Sequence, residues 1–315
     1  MNVINQHITE NYAIYNMDCV ELAKSLPDGS IDYTLFSPPF ESMYQFSNSD
    51  RDFGNSTRED FYIHFKYLVD EMYRATRPGR LLSFHCMNLP TSKVNDGYIG
   101  IRDFRGELIR LFQDAGWIYH SEVCIWKDPV VAMQRTKALG LLHKTIRKDS
   151  SMSRQGIADY LVTMRKPGQN DKPVRHYRDD KELREVCEAE ELNPIVEECN
   201  ILPVELWQKY ASPVWMDINQ TRTLNFREGR DEDDQKHICP LQLDVIERCL
   251  HLWTAPGDTV FTPFLGIGSE VYEAVRMGRK GIGSELKTSY WELAKKNIAS
   301  VNKGTMDLFS MAEQE

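Results

Sequence analysis

No apolar run in this chain reaches the roughly eighteen residues that a membrane-crossing helix needs, and Met1-Asn-Val-Ile-Asn-Gln lacks the charged-then-apolar pattern of an export signal. Both absences point to a cytoplasmic protein. The seven cysteines are odd in number and include no Cys-x-x-Cys pair, which argues against a zinc or other metal centre and against a disulfide framework. There is no Gly-Lys-Ser/Thr step, so a triphosphate cradle is not expected. Positive charge is also in deficit: 38 Lys and Arg face 47 Asp and Glu, a net charge of −9. This argues against a surface coated for nucleic acid, so any basic contact surface must be local. What remains is a globular chain of 315 residues, 41% hydrophobic, with enough apolar material for one large domain with insertions or two small ones.

Two strand-to-loop junctions carry the chemistry. Ile31 to Phe36 is rich in β-branched and aromatic residues and reads as a buried strand, ended by Ser37-Pro38-Pro39-Phe40. Neither proline can donate a ladder hydrogen bond, so their carbonyls are free to accept from something outside the protein. A hydroxyl, a directed carbonyl and an aromatic ring suit a planar group held by its amino edge and its π-face; the plain alternative is a strand-ending turn. More than two hundred residues later, Val260-Phe261-Thr262-Pro263-Phe264-Leu265-Gly266-Ile267-Gly268-Ser269-Glu270 leads from a strand through two glycines into a helix that runs to Met277. The strand Lys280 to Ser284 then ends in Glu285, 17 residues past Gly268. That spacing is close to the ~20 at which an acid accepts from ribose hydroxyls in a doubly wound sheet, and it favours a nucleoside ligand without a polyphosphate.

In this order the two stretches resemble the amino-methylating DNA methyltransferases that use S-adenosylmethionine. Ser37 to Phe40 matches their Ser/Asp/Asn-Pro-Pro-aromatic catalytic motif, and Thr262 to Gly268 matches their Asp-Pro-Phe-x-Gly-x-Gly cofactor motif. The catalytic motif preceding the cofactor motif is the permuted arrangement called the β group. The resemblance implies a Rossmann-like mixed α/β sheet. It implies cofactor contacts from Phe36, Phe261, Thr262, Pro263, Phe264, Gly266, Gly268, Ser269 and Glu285. His237-Ile-Cys-Pro240-Leu-Gln242 looks like the segment that closes over the methionine part, and Asn16-Met-Asp18-Cys19 like the one near the adenine, where Asp18 would accept from the adenine amino group. One departure stands out. Thr262 replaces the usual Asp, so a carboxylate near the methionine end of the cofactor is missing.

Read in order, residues 1–126 form the catalytic half, 127–158 a basic insertion, 159–166 a returning strand, 167–236 an acidic subdomain, 237–303 the cofactor half and 304–315 a tail. Glu41 to Asn55 has no periodicity and reads as a lid or DNA-contacting loop. Thr57 is a candidate cap for a helix whose apolar stripe is 61, 65, 68, 69, 72 and 73, stopping at Arg77-Pro78-Gly79. Leu81 to Cys86 is the next buried strand; His85 at its end is a candidate for the rim, weighed against simple packing, because methyl transfer from a sulfonium needs no strong base. Trp117 to Trp126 and Asp159 to Arg165 read as antiparallel partners.

The insertion between them holds Lys127, Arg135, Lys137, Lys144, Arg147, Lys148 and Arg154 against only Asp128 and Asp149. With His143 these are the residues expected on DNA phosphates, or on bases and sugars. The plain alternative is an ordinary solvated loop. In 179–205 the sign inverts, and that segment should face away from phosphates.

The resulting expectation is methylation of double-stranded DNA at the exocyclic amino group of a flipped base. Ser37 and the Pro38 carbonyl would accept from the amine while Phe40 stacks on the base. Within the resemblance, Ser at the first motif position favours cytosine N4, with adenine N6 the alternative. The rivals are an RNA or protein methyltransferase, against which the motif order counts, and a DNA-binding protein without catalysis. The recognition sequence, a homodimer and a partner restriction enzyme stay open.

Overall fold

The computed structural model describes residues 3–39, 58–91, 93–136, 139–175, 204–225 and 240–301. In chain order these form β1 (Asn5–Ile8), β2 (Tyr12–Asn16), α1 (Cys19–Ser25), β3 (Ile31–Phe36), α2 (Arg58–Ala75), β4 (Thr76–Met87), the short β5 (Leu89–Pro90), α3 (Lys93–Asp96), β6 (Ile101–Arg102), α4 (Phe104–Asp114) and β7 (Ile118–Ile125). There follow α5 (Pro129–Thr136), α6 (His143–Lys148), β8 (Asp159–Arg165), α7 (Val204–Tyr210), β9 (Val214–Trp215), α8 (Leu243–Trp253), β10 (Thr259–Thr262), α9 (Ser269–Arg276), β11 (Lys280–Glu285) and α10 (Thr288–Val301).

Nine strands make one mixed sheet in the order β1-β2-β11-β10-β3-β4-β8-β7-β9. Its centre, from β2 to β4, is parallel, whereas β8 runs antiparallel between β4 and β7. β3 is buried along its whole length, as a strand covered on both faces must be. Its side chains divide between two cores: Ile31 and Phe36 pack with α1, α2 and α4, whereas Tyr33 and Leu35 pack with α8, α9 and α10. This is a doubly wound α/β sheet, and the crevice of such a sheet lies outside the carboxyl ends of its strands.

The distant halves of the chain meet at its middle. β3 pairs directly with β10, Thr34 opposite Phe261, so residues 31–36 and 259–262 end on the same rim. The opposite, amino rim is stapled by charge. Asp32 accepts from the Thr259 backbone N–H at 2.9 Å and pairs with Arg77 at 2.9 Å. Arg80 donates to the Asp32 carbonyl at 2.8 Å and pairs with Asp258, while Lys172 stands 2.7 Å from the same Asp258 carboxylate. Desolvation presses Asp258 upward, but Lys172 and Arg80 outweigh it and hold the carboxyl below its ordinary value.

Two details correct the sequence reading. α2 ends at Ala75 and β4 begins at once with Thr76, so Arg77-Pro78-Gly79 belongs to the strand rather than to a helix stop. A register shift in the β3–β4 pair between Ile31 and Tyr33 absorbs the early start. The short edge strands β1 and β9 were not legible either, being polar or only two residues long. Among the described residues, no helix is long and apolar enough to cross a membrane.

Candidate active site

Ser37 follows β3 and is half-buried, with Pro38 and Pro39 buried behind it. Its Oγ lies 3.3 Å from His85 Nδ1, which the parallel pairing of β3 with β4 brings to the same rim. His85 Nε2 stands 3.2 Å from Asp159 Oδ2 at the start of β8, and Lys127 Nζ lies 2.6 Å from that oxygen. The His85–Asp159 approach is close without being an aligned hydrogen bond, since among the described residues Nε2 has no hydrogen-bond partner. Burial pushes the Asp159 carboxyl up, but His85 and Lys127 outweigh it and hold the group below its ordinary range. The histidine thus belongs to a four-residue line from the insertion to the serine. Nothing in the linear sequence announces the Asp159 contact; it follows from the β4–β8 register, which pairs Asp159 with Met87, two residues along the same face of the strand from His85.

The glycine turn sits beside this serine. Phe264, just after β10, packs its ring 5.8 Å from Phe36, the residue before Ser37. Four hydrogen bonds pin the turn: Ser284 Oγ donates to Pro263 O at 2.9 Å, Leu265 N–H to Ser284 O at 2.8 Å, Gly266 N–H to Glu285 Oε2 at 2.8 Å, and Asn297 Nδ2 to Ile267 O at 2.9 Å. Gly268 has φ of 96°, a conformation that strains residues with a β-carbon, and it opens α9. Among the described residues, a β-carbon on Gly266 would meet nothing within 4 Å, so there the turn borders open space.

The acid at the end of β11 is a brace as well as a potential ligand. Both Glu285 oxygens accept backbone N–H groups, Oε2 from Gly266 and Oε1 from Lys287, each at 2.8 Å. A carboxylate keeps further lone pairs for a hydroxyl donor. Asn16, to which the sequence assigns no role of its own, ties β2 to this strand end: its Nδ2 donates to Glu285 O at 2.8 Å and Leu286 O at 3.0 Å, and its Oδ1 accepts from Thr288. Two residues on, one Asp18 oxygen caps α1 by accepting from Val20 and Glu21 N–H groups.

Several of the expected ligand contacts change character. Phe36 and Phe261 bury their rings in the core, at 0% and 1% exposure, so a ligand could meet only their backbone. Thr262 is wholly buried and its Oγ1 has no partner among the described residues, an orphan hydroxyl at the position where the family carries a carboxylate. Ser269 is buried, and Glu270 beside it is a buried carboxyl that desolvation raises to about 8. Pro240 and Gln242 lead into α8, where Gln242 Nε2 donates to Gln220. Phe40, His237 and Lys137 lie outside the described residues, as do the Glu41–Asn55 loop and most of the acidic subdomain.

Of the basic residues, His143, Lys144, Arg147 and Lys148 are exposed on α6, and Arg154 is half-buried against Gly140. Arg135 lies on α5, with its side chain outside the described residues. Lys127 departs from the group, since its amine is turned to Asp159. The insertion nevertheless leaves and re-enters the sheet where Ile125 faces Asp159, at the rim that bears His85.

The open turn over Gly266, the orphan Thr262 hydroxyl and the terminal carboxylate on β11 fit a nucleoside carrying a charged tail. A rim hydroxyl next to that cradle fits a group that reacts with the ligand. Comparisons with known proteins agree on the class. The family model for DNA methylase, of the N6/N4 type, matches residues 31–296. The chain is 24% identical over 292 residues to the type II methyltransferase M.BglII of Bacillus subtilis, covering 92% of this chain and 68% of that one. It is 25% identical over 309 residues to M.BamHI of Bacillus amyloliquefaciens, covering 96% of this chain and 60% of that one, so it falls well short of both relatives' full length. Among solved structures it is similar to TTHA0409 of Thermus thermophilus, a proposed DNA modification methylase crystallised with S-adenosyl-L-methionine. The TM-score is 0.62 at 19% identity, over 94% of this chain and 97% of that one.

Proposed function

Since the chain belongs to the N6/N4 DNA methylases, enzymes that use S-adenosylmethionine, we propose that it methylates an exocyclic amino group of duplex DNA, cytosine N4 before adenine N6. The observation that carries this reading is the union, on one rim, of Ser37 with the Gly266–Gly268 turn across the β3–β10 pair.

The cofactor, when bound, supplies an electrophilic methyl group. The chain's own residues do the rest. The turn at Leu265–Gly268 and the Glu285 carboxylate would hold the nucleoside, with Asp18 near the base and the Thr262 hydroxyl towards the tail. A base stacked in duplex cannot reach a site at the bottom of a crevice, so the target nucleotide is flipped out at a cost of a few kcal/mol. Ser37 Oγ and the Pro38 carbonyl accept from its amino group, which lowers donation of the nitrogen lone pair into the ring and fixes its direction. Catalysis is then chiefly positioning and polarisation. The exposed cations of α6 supply local phosphate contacts in a protein that is acidic overall.

Serine at the head of the motif is what leans the reading to cytosine, as the resemblance implies. The test is to incubate the chain with labelled S-adenosylmethionine and unmethylated genomic DNA, digest to nucleosides and identify the labelled species. N4-methylcytosine is expected. N6-methyladenine would move the assignment to the other base, and label in RNA or protein alone would overturn it. Calorimetry with the cofactor exposes a catalytically dead DNA-binding protein through absent binding.

A further inference from the structure

If Ser37 receives the amino group, as proposed above, two protons need a destination. Ser37 must turn a lone pair to the amine, so its own hydroxyl proton requires an acceptor. The nitrogen, once it has gained a methyl group, also carries one proton too many.

His85 Nδ1 is 3.3 Å from Ser37 Oγ. On the other side of the ring the Asp159 carboxylate, 3.2 Å away, favours the tautomer with hydrogen on Nε2 and leaves Nδ1 as an acceptor. His85 and Asp159 are 12% and 4% exposed in their side chains, so the line is largely shielded from water. Asp159 also carries Lys127 at 2.6 Å, which takes part of its charge. Arg105 of α4 and Glu122 of β7 pair with each other at 3.0 Å and lie beside Cys86, whose side chain alternates to the opposite face from His85.

We propose that His85, oriented by Asp159, is a positioning residue that draws the reaction's proton through Ser37, and that Lys127 sets how strongly it does so. The balance is simple. After methylation the N–H bond breaks and its electron pair stays on nitrogen. The proton passes to Ser37 Oγ as the Oγ proton moves to His85 Nδ1, and the imidazolium is held by Asp159 until it loses the proton to solvent after product leaves. Lys127 also begins the basic insertion, so a phosphate that draws its amine away would leave Asp159's charge entirely to His85.

Two measurements on the full chain test this: single-turnover methylation of amplified genomic DNA as a function of pH, and an NMR titration of the labelled His85 ring. H85Q is expected to slow single turnover about 10²-fold. It should also flatten the fall in rate on acidification, and added imidazole should partly restore H85A. D159N removes the anion, so the ring titration and the acid limb should both move to lower pH. K127M frees the anion and should move both to higher pH, and because Lys127 is a partly exposed side chain this variant reports even if H85Q folds poorly. A wild-type rate and profile in H85Q, or a ring titration that neither D159N nor K127M displaces, overturns the relay while leaving the methyltransferase reading intact. A wild-type chain that methylates no DNA overturns both.

Discussion

The two ends of the central strands are built on opposite principles. At the amino rim, Asp32, Arg77, Arg80, Lys172 and Asp258 each have an opposite charge within 4 Å, and Arg80 and Asp258 are almost wholly buried. At the carboxyl rim the polar groups are only half-provided for. Among the described residues, Thr262 Oγ1 and His85 Nε2 have no hydrogen-bond partner and no opposite charge stands within 4 Å of the buried Glu270. One rim pairs its charges inside the fold, and on the proposed reading the other keeps some of its groups for a ligand. An unpaired buried group costs stability, so on that reading the carboxyl rim leans on the stapled amino rim.

Four substitutions probe that division. Arg80→Met should have the largest effect, because it strands Asp32 and Asp258 with only the more exposed Arg77 and Lys172. A loss of about 3–5 kcal/mol in urea unfolding is expected, as for breaking a buried pair. A loss below ~1 kcal/mol would mean that the amino rim is not the foundation.

Glu270→Gln should act in the opposite direction. Its folded-state value of about 8 lies above the ordinary 4.5, so the folded chain keeps the proton between those limits and wild-type stability declines as pH rises through them. The variant should therefore be more stable than wild type at about pH 8.5, by roughly 3 kcal/mol, with the advantage vanishing near about pH 4. Unfolding midpoints at the two pH values decide it. Ser37→Ala should lower methyl transfer about 10²-fold and leave stability within ~1 kcal/mol, separating reaction from fold at one residue. Gly268→Ala should cost about 1–2 kcal/mol in stability for its left-handed backbone, with Ala294 Cβ 3.1 Å from the new β-carbon. Cofactor affinity measured alongside shows whether the turn shape matters to binding beyond stability.

The carboxyl rim was far more legible in the sequence than the amino rim. Ser37-Pro-Pro and the Gly-x-Gly turn are contiguous, and strand ends, prolines and glycines are local signals. The alternation of β7 and β8 gave the hairpin nearly to the residue. The staple could not be read this way, because Arg80 and Asp258 are 178 residues apart and either side chain alone looks like surface charge. The same holds for His85. Its position was visible, but its use depends on a cross-strand neighbour that only the register of β4 against β8 supplies. Phe36 and Phe261 show the converse limit: a motif marks where the backbone runs, and packing decides where the rings go.

The hairpin of β7 and β8 has one more implication. Ile125 and Asp159 face each other in register, so everything strung between them hangs from a closed gate of paired backbone. Such a cassette can lengthen, shorten or be exchanged for another without shifting a strand beneath it. On the proposed reading, in which this insertion meets DNA, its contacts are free to diverge at the pace of a surface loop, while the sheet below keeps the slower clock of a buried core.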